Sequence, residues 1–109
     1  MDDVNRIMDL LDKLDASIKS LIKTGKEYGA AHTDYRLKLS EKLLSLEAEG
    51  RPVTNLYYIA RGDKDVALAK FREISSEAVY KANQESIQAQ KLRIKILEAQ
   101  IEREWGNTR

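Results

Sequence analysis

His32 is the only histidine in this sequence, and so the only side chain whose ordinary titration falls near neutral pH. It could act as a base, contact a ligand or sense pH. A single histidine cannot supply a His-pair metal site within one chain, and the Glu-x-x-His motif of a di-iron bundle is missing. Asp34 and Tyr35 follow His32, but no serine stands at a spacing that makes a nucleophile–base pair. Neither familiar glycine-rich phosphate loop occurs. Carboxylates are plentiful, yet they recur at helical spacing, as in Asp9/Lys13, Asp15/Lys19, Glu73/Glu77 and Glu98/Glu102. That is the pattern of a solvated helix face. The expectation is a protein that is not an enzyme and uses no cofactor or metal.

A second group of residues could hold an anion. Arg51, Thr54, Tyr57, Tyr58 and Arg61 share one short segment, with Lys64 just beyond. Two guanidiniums, two aromatic faces and a helix N-terminus suit a phosphate, a nucleotide base or a protein loop. The competing reading is a turn packed by its own aromatics, with one tyrosine buried and the other exposed. Lys26, Tyr28 and His32 are further ligand candidates. His32 there is either a ligand contact or a core imidazole bonded to a tyrosine or a carbonyl.

These residues need helices to position them. Over residues 7–39, apolar or ring-bearing residues recur in alternating steps of four and three: Ile7, Leu11, Leu14, Ile18, Leu21, Gly25, Tyr28, His32, Tyr35, Leu39. That is the period of a seam against a long partner helix. Asp2 or Asp3 can cap its start. Gly25 and Gly29 share a face, which means either close approach of a neighbouring helix or a kink beside a pocket lined by Tyr28 and His32. Past Leu39 the face broadens to Leu43, Leu44 and Leu46, enough to meet a second neighbour. Gly50-Arg51-Pro52 stops the helix. Thr54 reads as the N-cap of a short helix, Gly62 closes it, and Asp63 caps the next. The last helix carries Ala67, Phe71, Ile74, Ala78, Ala82, Ile87, Ile94, Leu97, Ile101 and Trp105, and a frayed tail begins at Gly106. The expected helices cover residues 3–49, 55–61 and 64–105.

The chain of 109 residues is long enough for one domain, and its 34% charged residues and 6% aromatics suit long amphipathic helices. The net charge of +1 provides no field for nucleic acid or an anionic membrane. Lys91, Arg93 and Lys95 lack the interleaved aromatics of a strand-binding groove. The absence of cysteine excludes disulfides and a thiol nucleophile. No apolar run is long enough to span a bilayer, and the acidic start is unlike a signal peptide. The expected fold is all-α: an elongated, coiled-coil-like antiparallel hairpin of long helix, short connector and long helix, forming one domain. Leu10, Ile22, Leu37, Leu92 and Ile96 fall off the seams and need cover, which predicts a homo-oligomeric bundle.

The runs AEGRPVT and ARGDKDVA and the closing KLRIKILEAQIEREWGN resemble small helical proteins encoded by phages and prophages of Gram-positive bacteria. The resemblance covers the C-terminal half. It carries no catalytic motif, so it assigns no site residue. It implies a viral protein in the cytoplasm of an infected cell, where such proteins often bind and disable a host component. The functional expectation is a non-enzymatic protein that sequesters or blocks a host defence protein or an anionic, nucleotide-type signal. The alternative is a structural spacer or virion assembly chaperone acting by helix–helix contacts.

Overall fold

The computed structural model describes residues 2–107, and three helices make up the fold: α1 (Asp2–Ala48), α2 (Val53–Gly62) and α3 (Lys64–Asn107). No strand occurs among the described residues. Asp2 and Asp3 both lie in the first turn of α1, and the position before them lies outside the described residues. The tail expected from Gly106 does not begin there. Gly106 and Asn107 continue α3, while Thr108 and Arg109 lie outside the described residues.

Local chemistry sets the junctions. Gly50 takes φ +80°, its N–H donates to Glu47 O at 3.0 Å, and Arg51 N–H donates to Leu46 O at 3.3 Å. This is a Schellman ending, which satisfies carbonyls left open by the last turn. Thr54 does not cap α2. The helix begins at Val53 behind Pro52, whose φ of −57° already suits a helix start, and no side-chain cap bond forms. Asp63 does cap α3: its Oδ2 accepts from Asp65 N–H at 3.1 Å and Val66 N–H at 3.3 Å. The Val66 amide, aided by Lys42 Nζ at 3.4 Å, holds the Asp63 carboxyl below its usual range.

The chain forms two compact units, one of Thr24–Tyr80 and one of Met1–Lys23 with Lys81–Arg109. In the Thr24–Tyr80 unit, α1 and α3 run antiparallel through the connector α2, making a helical hairpin. Leu46, Leu56 and Ala60 form one buried cluster, with Leu39, Leu43 and Ile59 packed on it. Tyr35, Val66 and Ala69 form another, also backed by Leu39. Leu43 and Leu46 therefore meet the connector as expected, but Leu44 is exposed. Gly25 is the point of close approach. A Cβ there would stand 3.1 Å from Tyr80 Cε1, whereas one at Gly29 would meet nothing within 4 Å.

In the other unit the two helix segments are again antiparallel. Ile87, Ile94 and Leu97 are buried, and Ile7, Leu10, Leu14 and Leu21 are half-buried. Ser17 bridges the segments: Asn83 Nδ2 donates to its carbonyl at 3.1 Å and Gln90 Nε2 to its hydroxyl at 2.8 Å.

The seam differs from the expected one by a single residue at alternate steps. Ile7, Leu14, Leu21, Tyr28 and Tyr35 do turn inward. Of the expected companions, Gly25 and Leu39 also face inward, but Leu11, Ile18 and His32 are exposed, and Leu10, Ser17, Thr24 and Ala31 share the seam instead. On α3 the inward set at seven-residue steps is Val66, Glu73, Tyr80, Ile87, Ile94 and Ile101. Ala67, Phe71, Ile74, Ala78, Ala82 and Trp105, expected on the seam, are exposed. The reason is physical. Each long helix carries two apolar stripes, and polar residues occupy part of the true seam because they hydrogen-bond across it.

Candidate functional site

The strongest polar cluster lies in the Thr24–Tyr80 unit, centred on a residue that periodicity alone assigned to solvent. Glu73 is 5% exposed and is the buried charged side chain of the chain's described core. It sits on the α3 seam seven residues from both Val66 and Tyr80, so burial of that stripe carries the carboxylate inward. His32 Nδ1 stands 2.6 Å from Glu73 Oε2, and Lys70 Nζ donates to Oε1 at 2.7 Å. With Glu73 ionised, Nδ1 is the ring nitrogen that carries the hydrogen. The Lys70 ammonium holds the Glu73 carboxyl below its usual range, with help from His32 and against the opposing effect of burial. Glu73 in turn raises Lys70.

Aromatic rings frame this cluster. Lys70 Nζ lies 4.6 Å from the Tyr35 ring centroid. The Tyr28 ring is 6.3 Å from His32 and 6.0 Å from Tyr80. Both Glu73 oxygens have a partner, Lys70 Nζ on Oε1 and His32 Nδ1 on Oε2. The arrangement therefore works as a clamp between α1 and α3, with His32 on its wet side. Lys70 and Glu73 were legible as a pair three residues apart, but Glu73 reads as solvated until its seven-residue spacing from Val66, Tyr80 and Ile87 is noticed.

The connector residues are partly brought together. Arg61 Cζ stands 5.6 Å over the Tyr57 ring. Tyr58, Arg61 and Gly62 line an open depression of about 340 Å³. Neither tyrosine is buried: Tyr57 is 52% exposed and Tyr58 87%. The inward-facing side chains of α2 are Leu56 and Ala60 instead. Arg51 precedes α2 and lies 3.7 Å from Glu49, while Arg61 ends it. Their backbones are about 15 Å apart at 1.5 Å per residue, so they do not form one clamp. Thr54 is exposed in the first turn. Lys26 is exposed and joins neither group; two residues from Tyr28, it points about 200° around α1.

Among the described residues, no group of His, Asp and Glu could hold a metal ion. No helix there is long and apolar enough to cross a membrane. Comparison with protein-family models, with curated proteins and with solved structures gives no match.

Proposed function

We propose that this chain is a non-enzymatic binding protein that engages a protein partner through an exposed helix face. The observation that carries this reading is a stripe on the first part of α1. Val4, Met8, Leu11, Ile18 and Ile22 are all exposed, at spacings of three, four and seven residues, on the side of α1 that its own hairpin seam leaves uncovered. Such i, i+4, i+7 anchors are what a helix offers to an apolar groove or a second helix. Exposed apolar residues arranged this way mark interaction surfaces more often than scattered ones do.

The resemblance to phage and prophage proteins supplies the context. The partner is then a host protein of the infected bacterium, and binding blocks it. The anionic-ligand reading has less support, since its two arginines stand at opposite ends of α2.

Affinity capture from a lysate of a Gram-positive bacterium tests this, with the wild type beside Met8→Glu and Ile18→Glu. A discrete protein retained by the wild type and lost from both variants is the expected result. Equal retention by all three chains, or retention of a nucleotide in native mass spectrometry, overturns the proposal.

A further inference from the structure

A different face, on α3, carries a stripe that the hairpin does not use. From Leu68 the exposed residues at steps of three and four are Leu68, Phe71, Ser75, Ala78, Ala82, Glu85, Ala89, Leu92, Ile96, Ala99 and Arg103. All but half-buried Ser75 are exposed. The stripe lies about 150° around α3 from the inward set of Val66, Glu73, Tyr80, Ile87 and Ile94, so a single α1 cannot cover both.

We propose that a second copy of this chain docks on the α3 stripe from Ala82 onward, antiparallel, around a two-fold axis at residue 94; Leu68, Phe71, Ser75 and Ala78 lie outside this overlap. One observation names the occupant.

It is charge and size complementarity with itself. In an antiparallel pair centred on residue 94, the only two charged stripe residues of this region, Glu85 and Arg103, fall opposite each other, twice. Neither has an ion pair among the described residues. In the same register Leu92 meets Ile96, Ala89 meets Ala99 and Ala82 meets Gly106. Bulky pairs thus lie at the axis, small pairs allow close approach beyond it, and ion pairs sit between. A parallel pair would set Glu85 on Glu85 and Arg103 on Arg103. The flanking Arg93 falls opposite the Lys95 of the other copy, twice, but on the solvated rim, where like charges cost little.

The α3 stripe is separate from the α1 face proposed for the host partner, so the two proposals fail independently. Sedimentation equilibrium on the full chain at micromolar concentration is the test, with circular dichroism to confirm helix content. The wild type is expected at twice the mass of the 12.5 kDa chain. Glu85→Arg and Arg103→Glu each set like charges together in two places and should weaken the dimer by about tenfold or more. The double swap Glu85→Arg/Arg103→Glu restores opposite charges and should restore the dimer. Leu92→Glu should give a folded monomer. A monomeric wild type overturns the proposal. So does a dimer that tolerates either single swap, or a double swap no better than the singles.

Discussion

His32 Nδ1 lies 2.6 Å from Glu73 Oε2, joining α1 to α3 across a separation of 41 residues in the chain. Lys70 occupies the other oxygen at 2.7 Å. Glu73 is thus a buried carboxylate held by Lys70 and the His32 ring, whose side chains are themselves about half in water. This asymmetry governs how the clamp responds to acid and to substitution.

Glu73 titrates below its ordinary value in the folded chain, so the folded state binds its proton less readily than the unfolded one. Its stabilising contribution is complete above the unfolded carboxylate range and is lost as pH falls through the lowered folded value. Lys70 is shifted the opposite way; its share is present below the ordinary lysine range and fades as pH rises through the raised value. Thermal melts from neutral to acidic pH should show a falling Tm in the wild type and a flatter acid limb in Glu73→Gln. Parallel profiles would show that the clamp adds no linked stability.

Glu73→Ala should cost about 1–3 kcal/mol, because it deletes two charge-assisted bonds and leaves a void on the seam. Glu73→Leu should cost less. An apolar side chain fills the seam, and Lys70 and His32 are exposed enough to take their hydration from water. Urea denaturation of the two variants decides the order; an equal loss would mean that the bonds outweigh the packing.

The two glycines of α1 should behave oppositely. At Gly29 a methyl group meets nothing within 4 Å, so Gly29→Ala should stabilise by roughly 0.5–1 kcal/mol through helix propensity. At Gly25 the added Cβ would press on the Tyr80 ring at 3.1 Å. Gly25→Ala should therefore gain less than Gly29→Ala, and Gly25→Leu should destabilise. Calorimetry giving identical gains for both alanines would count against the close approach.

The one-residue change of seam is open to direct measurement. Leu14 is half-buried on the α1 seam and Ile18 is exposed. Leu14→Glu should lower stability by about 2 kcal/mol or more, since a charge then replaces an inward apolar group. Ile18→Glu should stay within about 0.5 kcal/mol of the wild type under monomeric conditions. Reversed losses in chemical denaturation would restore the seam that runs through Leu11 and Ile18.

The connector separates packing from surface. Leu56→Ala should cost about 2–3 kcal/mol, because Leu56 is buried against Leu46 and Ala60. Tyr57→Ala, Tyr58→Ala and Arg61→Ala should change stability little. A thermal-shift screen with cyclic and linear nucleotides should leave the wild-type Tm unmoved. A rise in the wild type that is absent in Arg61→Ala would put the anionic ligand back on this surface.

Helix content and junctions were legible from residues alone because their causes are local. Gly50 before Arg51-Pro52 ends α1, and Asp63 caps α3 through bonds reaching only two and three residues along the chain. The seven-residue stripe through Ile7, Leu14 and Leu21 was legible for the same reason.

Tertiary structure alone decided which of two apolar stripes turns inward. Leu10 and Leu11, or Val66 and Ala67, are equivalent to a periodicity argument, and the spacing alone led to Leu11 and Ala67. The folded chain instead buries the stripe whose polar members find partners across it: Ser17 with Asn83 and Gln90, Glu73 with His32 and Lys70. The partners that cross between α1 and α3 lie 41 to 73 residues apart in sequence, whereas Lys70 is three residues from Glu73 on α3 itself. Hydrogen bonding between polar groups depends on their meeting in space, which neither composition nor spacing encodes. The same meeting took Glu73 out of the solvent and left His32 at its edge.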